Sequence, residues 1–339
     1  MSCSMTMQRR RDGPTAAPCR SPSRHQSPMA PSNKRMSSRW LIMVGVAVLI
    51  LSDCSTLDPV VRRRMEQASA ILAGSDQRFA PTVYRLLERG VDSAFLWAAF
   101  HHPNTTFLPQ MLRINVVGFL RRVDYSPNWS DASITACRAF MDSTRELLQK
   151  AERTYGVPAE IITAILWVET KFGKFTGTHH VWSVYASLAT ADEPDNIAAN
   201  QQTYRDTIAD PQRRAYLDSL VEVRSRRKAA WALSQLETLA RLAKDSSFDV
   251  LSLTGSWAGA FGLPQFIPSS YTQWARDGNG DGRVDLFDPA DAIASVANYL
   301  RANGWSERRE QQEAALFHYN NSRDYVECIF AVAERLAQR

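Results

Sequence analysis

The stretch PAEIITAILWVETKFG, residues 158–173, decides most of what the sequence says about the fold. Pro158 suits the first turn of a helix, where a backbone N–H donor is not needed. The residues that follow are apolar on every helical face, and a helix of that kind is buried in a protein interior. The apolar run ends at Glu169, and Gly173 can close the helix. The stretch therefore predicts a buried helix that ends in a carboxylate.

The environment of Glu169 decides what this carboxylate can do. In a cleft, loss of hydration disfavours the charged form and raises the pKa. A raised pKa suits a general acid in glycosidic bond cleavage. The alternative is a solvated residue at a helix end, and position alone favours it because most glutamates are exposed. A second part of the sequence changes that balance.

The block GSWAGAFGLPQFIPSSY, residues 255–271, does not have the composition of a core segment. Glycine and other small residues let the backbone approach a ligand closely. Glutamine, serine and aromatic side chains can bind sugars, through hydrogen bonds to hydroxyls and apolar contact with the rings. The block therefore indicates a loop that lines a binding cleft.

Together, the two blocks resemble the membrane-bound lytic murein transglycosylase B family. The resemblance covers about residues 131–337, with a weaker trace back to about residue 60. It implies a mainly α-helical fold, with a lysozyme-like catalytic core inside a larger helical protein. The segments that carry it are GVPAEII (156–162), VETKFG (168–173), the block at 255–271, DPADAIASVANYL (288–300) and HYNNSRDY (318–325).

The resemblance implies an enzyme that cleaves the MurNAc–GlcNAc β-1,4 bond of peptidoglycan. Its single catalytic carboxylate corresponds to Glu169, which protonates the leaving oxygen and then acts as a base on the MurNAc C6 hydroxyl. The product is a 1,6-anhydro end. One carboxyl group can serve in both steps because the nucleophile is already on the substrate. The residues implied to line the sugar cleft are Ser256, Gln265, Tyr299, Tyr319, Asn320 and Tyr125.

Two of these cleft residues have plain structural alternatives. Tyr299 falls in a helical segment, where a buried core aromatic is equally common. Ser256 could be a loop hydroxyl at the start of a helix. Their assignment to the cleft therefore depends on the resemblance and not on spacing.

Two other functions are consistent with the same residues. A hydrolytic muramidase would use the same acid but add water and leave a reducing end. A calcium-stabilised, non-catalytic peptidoglycan-binding protein would need no buried acid, so the context of Glu169 argues against it. We expect peptidoglycan glycan strands as the partner, with cell-wall synthesis or remodelling proteins as further candidates. No organic cofactor is expected.

Residues 277–288, DGNGDGRVDLFD, follow the pattern of an EF-hand calcium loop. Oxygen ligands at the first, third and fifth positions, a glycine at the sixth and a carbonyl at the seventh suit Ca²⁺. The final position holds an aspartate, which is one methylene shorter than the usual glutamate. A longer loop over 277–291, as the resemblance implies, would let a later aspartate close the site. An Asp/Gly turn without a metal is the alternative. The predicted ligands of this structural ion are Asp277, Asn279, Asp281, Arg283 through its carbonyl, Asp288 and Asp291.

The net charge of +5 is concentrated at the N-terminus and does not indicate nucleic-acid binding. Residues 1–53 hold eight Arg or Lys against two Asp, a net charge of +6, so the remaining chain carries −1. Within them, LIMVGVAVLIL (41–51) is too short to span a bilayer as a helix. Placed after Lys34, Arg35 and Arg39, it is typical of a secretory signal, with a buried core helix as the alternative. We expect residues 1–53 to be an N-terminal extension with a signal peptide.

The sequence LSDC that ends at Cys54 resembles a bacterial lipoprotein cleavage site, although Asp53 stands where a small residue is usual. The resemblance implies lipidation of Cys54 and a periplasmic protein anchored to the outer membrane. Plain secretion is the alternative. In the exported chain, Cys137 and Cys328 could form a disulfide or remain buried thiols.

Helical periodicity and helix-forming composition prevail after the signal, with Pro and Gly between the segments. We expect an N-terminal helical region over 54–130 and the lysozyme-like core over 131–339. The polar stretch 191–228 makes the connection between the two blocks longer than the resemblance implies. We expect it to be a surface insertion, with a segment that lines the cleft or contacts a partner as the alternatives. The predicted helical segments are 60–75, 79–89, 92–100, 131–153, 158–170, 213–245, 289–302 and 310–337.

Overall fold

Helices make up nearly all of the regular structure in the described residues, which confirms the mainly α-helical part of the predicted fold class. A computed structural model describes residues 58–118, 123–244 and 248–338; the predicted signal peptide and Cys54 lie outside these ranges. No helix in these ranges is both long and apolar enough to cross a membrane. The helices are α1 (Pro59–Ile71), α2 (Ala80–Glu88), α3 (Ser93–His101), α4 (Pro109–Val117), α5 (Asp131–Ser143), α6 (Arg145–Tyr155), α7 (Ala159–Thr170), α8 (Val181–Leu188), α9 (Pro194–Arg205), α10 (Pro211–Leu242), α11 (Pro268–Trp274), α12 (Pro289–Ala302), α13 (Arg309–Tyr319) and α14 (Arg323–Ala337).

Two segments predicted as continuous helices are each divided in two. The segment 131–153 breaks at Thr144, whose hydroxyl donates to a carbonyl one turn earlier at 2.7 Å. The segment 310–337 breaks before Ser322, whose hydroxyl caps α14 by accepting the N–H of Tyr325 at 3.2 Å. Both breaks fall at residues whose side chains hydrogen-bond to nearby backbone, which competes with helix continuation.

Four helices, α4, α8, α9 and α11, lie outside the predicted segments. Every residue of α8 is buried, so this helix has no polar face to produce the amphipathic periodicity used for prediction. The stretch predicted as a surface insertion forms α9 and the first half of α10, which pack against each other and against α4. Tyr204, Leu217 and Val221 are buried in that packing. The stretch therefore forms a helical pair with one buried and one exposed side.

The N-terminal helices are fastened to the segment around α8 by buried polar contacts. The Thr82 hydroxyl donates to the carbonyl of Ala186 at 2.9 Å. Arg85 forms ion pairs with Asp192 at 2.7 Å and with Glu193 at 2.8 Å. Because Arg85 is almost wholly buried, these two carboxylates supply the charge partners that a buried guanidinium requires.

Helix α7 lies at the centre of the C-terminal helices and packs against α5, α6, α12 and α14. Its residues from Ile161 to Leu166 are all buried, as the apolar run predicts. The strongest packing is against α14. The hydrogen bond from Tyr325, near the start of α14, to Glu169 brings the C-terminal end of α7 beside the start of α14. This arrangement places the carboxylate at the end of α7 between two helices and not in open solvent.

Cys137 on α5 and Cys328 on α14 are both buried and unpaired. Burial raises the pKa of Cys137 to about 12 and that of Cys328 to about 11. Thiols with such pKa values stay protonated at neutral pH and react slowly. Of the two alternatives left by the sequence, the structure contains the buried thiols.

A small antiparallel sheet begins the 255–271 block. Strand β1 (His179–His180) pairs with β2 (Thr254–Gly255), with His179 opposite Gly255. Beyond it, Gly259 has φ +77°, and a Cβ there would lie 2.4 Å from the ring of Tyr185. The Tyr185 hydroxyl donates to the Gly259 carbonyl at 3.0 Å. Close packing of the block on α8 therefore requires glycine at this position.

Candidate active site

Glu169 occupies the last turn of α7, where the chain bends sharply. Lys171 and Phe172 follow in the left-handed region, with φ values of 53° and 59°, and so end the helix. The Thr170 hydroxyl donates to the carbonyl of Leu263 at 2.9 Å, which ties the end of α7 to the 255–271 block. The two parts of the chain that the sequence singled out are thus directly connected.

The Glu169 side chain is largely withdrawn from solvent and has one hydroxyl donor. The Tyr325 hydroxyl at the start of α14 donates to Glu169 Oε1 at 2.8 Å. Burial raises the pKa of Glu169 to about 7; the Tyr325 hydrogen bond and the charge of Lys171 lower it, but by less. A carboxyl group with such a pKa can both give and accept a proton near neutral pH.

Glu169 stands without a second carboxylate among the groups that act on its pKa. Within the described residues those groups are Tyr325 and Lys171. The Lys171 ammonium is itself held by the carbonyl of Trp167 at 3.1 Å and by the side-chain oxygen of Asn128. It also lies 4.4 Å from the centre of the Trp167 ring. The site therefore combines one partly buried acid with a nearby cation that is hydrogen-bonded to other groups.

Three tyrosines surround the acid. The ring centre of Tyr325 is 5.9 Å from that of Tyr125, with the two rings edge to face. It is 6.4 Å from the ring centre of Tyr319, and the rings of Tyr325 and Tyr319 are nearly parallel. Burial raises the pKa of Tyr125 and Tyr319, and the charge of Glu169 raises both further. The predicted cleft residues Tyr125 and Tyr319 therefore share an electrostatic environment with the predicted acid.

A pocket of about 270 Å³ next to these tyrosines contains three of the predicted cleft residues, Gln265, Tyr299 and Tyr319. Gln265 has φ 52°, and its amide donates to the backbone carbonyls of Thr176 at 3.1 Å and Gly262 at 3.0 Å. The remaining pocket residues, which the sequence did not single out, are Phe266, Ile267, Ser269, Ser270, Trp274 and His318.

The two tyrosines of the pocket use their hydroxyls within the protein. Tyr319 donates to the carbonyl of Pro264 at 2.5 Å. Tyr299 is 5% exposed, and its hydroxyl lies 3.0 Å from the carbonyl of His318. Tyr299 is thus both a core aromatic, as the structural alternative predicted, and part of the pocket wall.

Ser256, Asn320 and Tyr125 do not line this pocket. The backbone N–H of Ser256 donates to the carbonyl of Ala260 at 2.8 Å, within the turn that follows β2. Asn320 ends α13 and separates it from α14. Ser256 and Asn320 therefore lie at loop positions outside the pocket. The ring of Tyr125 contacts that of Tyr325, which hydrogen-bonds to Glu169.

The predicted calcium loop has the backbone of a tight, self-bonded turn. Asp277 accepts the N–H groups of Gly280 at 2.5 Å and Gly282 at 2.8 Å. These bonds lower the pKa of Asp277 below its usual value. Asn279 and Asp281 accept the N–H two residues later, at 2.9 and 2.8 Å. Oxygen-bearing side chains thus alternate along the loop, and each accepts a backbone N–H of the loop itself.

The two later aspartates of the loop have separate tasks. Asp288 caps α12 by accepting the N–H of Ala290 at 2.7 Å. Asp291, which is 1% exposed, accepts the N–H of Gly278 at 2.8 Å and that of Asp285 at 2.6 Å. Within the described ranges, no three His, Cys, Asp or Glu side chains are grouped as metal ligands would be.

Tyr325 and His318 are two of the site residues that were not assigned a role from the sequence. Tyr325 belongs to the quoted segment HYNNSRDY but lies 156 positions from Glu169, so no local spacing links the two. His318 belongs to the same segment and lines the pocket. The signal that could have found them is their helical register. His318 lies in the last turn of α13 and Tyr325 in the first turn of α14, and both turns border the site.

Comparison with known proteins places this site in a defined family. The model of the transglycosylase SLT domain family matches residues 84–320. Membrane-bound lytic murein transglycosylase B of Escherichia coli (strain K12) is 37% identical over 166 residues, which cover 49% of this chain and 37% of that protein. The alignment therefore spans well under half of that relative.

Two solved structures have a similar fold. Soluble lytic transglycosylase SltB1 from Pseudomonas aeruginosa has a TM-score of 0.57 and 25% identity, covering 78% of this chain and 99% of that one. The Escherichia coli lytic transglycosylase Slt35 in complex with calcium also has a TM-score of 0.57, with 22% identity, covering 83% of this chain and 93% of that one. The family match extends over most of the described chain and includes Glu169, the 255–271 block and the pocket tyrosines. The chain belongs to the transglycosylase SLT domain family.

Proposed function

We propose that the protein is a lytic murein transglycosylase, which cleaves the MurNAc–GlcNAc β-1,4 bond of peptidoglycan and leaves a 1,6-anhydro-MurNAc end. The observation that carries this proposal is the state of Glu169, whose burial raises its pKa to about 7 beside a sugar-sized pocket. Family membership and the name of the Escherichia coli relative support the same substrate class.

In the first step, protonated Glu169 gives its proton to the glycosidic oxygen. The bond between that oxygen and C1 of MurNAc breaks, and the GlcNAc part leaves as an alcohol. The hydrogen bond from Tyr325 stabilises the carboxylate that forms. In the second step, the carboxylate takes the proton of the MurNAc C6 hydroxyl while O6 bonds to C1. Glu169 ends as the acid, and no water is consumed.

The absence of a carboxylate partner among the groups that act on Glu169 favours this route. Glycosidases that hydrolyse with inversion or retention generally need two carboxyl groups, one as acid and one as base or nucleophile. An intramolecular hydroxyl removes the need for the second group, because substrate binding already positions the nucleophile.

The test is mass spectrometry of muropeptides released from purified sacculi by the protein and by Glu169→Gln. We expect products lighter by one water than muramidase products, and none from the variant. Reducing-end products would replace the proposal with a hydrolytic muramidase. Binding to sacculi without any product from the unaltered protein would favour a non-catalytic peptidoglycan-binding protein.

We also propose that the 277–291 loop binds one structural Ca²⁺. The donor set fits this ion, because Asp277, Asn279 and Asp281 provide hard oxygen ligands at alternate positions and each oxygen has further lone pairs beyond its amide contact. The Slt35 structure of the same fold, solved with calcium, supports the choice of metal. The ion would be held by Asp277, Asn279, Asp281 and the Arg283 carbonyl, with Asp288 and Asp291 closing the loop.

Chelation tests the calcium proposal. We expect EDTA to lower the melting temperature of the protein and added Ca²⁺ to restore it, because a ligand bound only to the folded state stabilises it. The double variant Asp277→Asn, Asp281→Asn is the matched control and should respond to neither. An unchanged melting temperature in the unaltered protein, with no calcium by elemental analysis, would contradict the proposal.

We further propose that the protein is exported and anchored to the outer membrane through a lipid on Cys54, facing the periplasm. The apolar run before Cys54 and the word "membrane-bound" in the relative's name support this location. There it would act on glycan strands and could work beside cell-wall synthesis or remodelling proteins. Metabolic labelling with a fatty acid tests the anchor, and loss of label in Cys54→Ala is the expected result.

A further inference from the structure

The pocket that Tyr319 shares with the surroundings of Glu169 also contains the His318 imidazole. One ring nitrogen of His318 hydrogen-bonds to a protein group, and among the described residues the other does not. His318 Nδ1 lies 2.9 Å from the Tyr299 hydroxyl oxygen, and the carbonyl of His318 lies 3.0 Å from the same oxygen. The side chain is exposed at the pocket, and in the described part of the chain Nε2 has no hydrogen-bond partner. The role of His318 therefore depends on which atoms around Tyr299 carry protons.

The end of α13 decides that question. The His318 carbonyl is in the last turn, where helix carbonyls have no partner within the helix. Asn320 donates its N–H to Leu316, and among the described groups Tyr299 is the hydroxyl that reaches the His318 carbonyl. A carbonyl can only accept, so the Tyr299 proton is directed to it. The Tyr299 oxygen must then accept a hydrogen bond from Nδ1–H.

The neutral histidine consequently has its proton on Nδ1, and Nε2 presents a lone pair to the pocket. A ligand group that meets Nε2 must therefore be a donor, either N–H or O–H. The wall around it is formed by Phe266, Ile267 and Trp274, and the Trp274 ring stands edge-on to the imidazole at 6.3 Å between centres. An apolar wall beside this acceptor matches an acetamido group, whose methyl is apolar and whose N–H is a donor. The polar side chains of Gln265, Ser269 and Ser270 complete the lining of the pocket.

We propose that the pocket holds one N-acetylated sugar of the glycan strand and that His318 positions it by accepting a hydrogen bond from the acetamido N–H at Nε2. The volume of about 270 Å³ suits a single sugar and not a longer segment of chain. The inference rests on the proposed function for the identity of the strand. It assigns His318 a positioning role, with no part in proton transfer to the glycosidic bond.

Two variants separate the two sides of the imidazole. His318→Asn keeps a short amide able to donate to the Tyr299 oxygen but cannot reach the position of Nε2. His318→Gln extends an amide oxygen to the position of Nε2. The parent is Glu169→Gln, so that ligands are bound without turnover. The probes are tetra-N-acetylchitotetraose and cellotetraose, which share a β-1,4 backbone and differ in having acetamido or hydroxyl at C2.

Calorimetry at about pH 8 measures the dissociation constants. We expect His318→Asn to weaken binding of the acetylated tetramer about threefold to tenfold, the value of one neutral hydrogen bond. His318→Gln should recover most of that loss, and binding of cellotetraose should be unchanged in both variants. Equal losses for both sugars, equal losses in both variants, or no binding of the acetylated tetramer by the parent would each overturn the proposal.

A spectroscopic measurement tests the proton assignment without any ligand. In ¹⁵N spectra of histidine-labelled protein, the signals lost in His318→Asn identify His318. We expect a protonated Nδ1 and an unprotonated Nε2. The opposite tautomer would overturn the proposal. The His318 measurements are independent of the muropeptide products. If they fail, the transglycosylase proposal is intact. If the muropeptide experiment fails, the sugar-binding result is intact.

Discussion

Glu169 at the end of α7 and Asp277 in the 277–291 loop are both carboxylates, and their surroundings move their pKa values in opposite directions. Burial raises the pKa of Glu169 to about 7, and one hydroxyl donor is too little to offset it. Asp277 is only partly covered, and two backbone N–H groups lower its pKa. The difference teaches that hydration and the number of donors, and not residue type, decide which carboxylate exchanges protons and which organises a turn.

The largest expected effect is on the catalytic rate, and it comes from replacing the carboxyl group at the end of α7. We expect Glu169→Gln to lower kcat on sacculi by at least about three orders of magnitude, because the variant loses both acid and base catalysis. Turnover is measured from soluble muropeptide release. Asp277→Asn is the control, and a comparable loss there would remove the distinction between the two regions.

The next effect concerns the loop and is one of stability. Asp291→Asn replaces one of two acceptor oxygens by an amide nitrogen, so either the Gly278 or the Asp285 N–H loses its partner in a buried place. We expect the free energy of unfolding to fall by about 1–3 kcal/mol, measured by urea denaturation in metal-free buffer. Asp281→Asn, at an exposed position, should change it far less. Similar losses in the two variants would contradict this.

The stability contributions of Glu169 and Asp277 should change with pH in opposite directions. For Glu169, the folded pKa of about 7 exceeds the ordinary value of 4.5, so its favourable contribution is present below pH 4.5 and is lost as the pH rises to about 7. We expect Glu169→Gln to gain stability relative to the unaltered protein across that interval, by thermal unfolding. A constant difference between the two proteins would show that Glu169 is not buried as described.

A smaller shift should follow from Tyr325→Phe. The Tyr325 hydroxyl stabilises the Glu169 carboxylate, so its removal raises the pKa of the acid further. We expect the basic limb of the kcat profile to move to higher pH, on the order of one unit. The hydroxyl of Tyr319 binds Pro264 instead, so Tyr319→Phe should leave the position of that limb in place whatever its effect on the rate. A shift toward lower pH in Tyr325→Phe would contradict the assignment.

The smallest effect is expected at Asp277. Its pKa is lowered, so its contribution to stability is present above the ordinary value of 3.8 and is lost as the pH falls through the lowered value. We expect a slight fall of the melting temperature of the unaltered protein in metal-free buffer below about pH 4, relative to Asp277→Asn. A difference that instead grows toward neutral pH would mean that the loop amides do not hold this carboxylate.

Local sequence patterns predicted most of the helices and the two ends of α7. The apolar run from Ile161 to Leu166 is buried and stops before Glu169, as the sequence predicts. Prediction failed where burial removed the signal, as in α8, and where one hydroxyl ended a helix, as at Thr144. Periodicity reports one polar and one apolar face, so it is silent about a helix that is buried all round.

The sequence by itself determined the α-helical class, the acid at the end of a buried helix, the small-residue block and the aspartate-rich loop. Each of these features depends on residues that are close together in the chain. Only the tertiary structure decided which donor meets Glu169, which residues line the pocket and which atom of His318 faces it. Tyr325 reaches Glu169 across 156 positions, and Tyr299 meets His318 across 19. Contacts of that separation are set by how α7, α12, α13 and α14 pack, and packing depends on the shape and burial of whole helices.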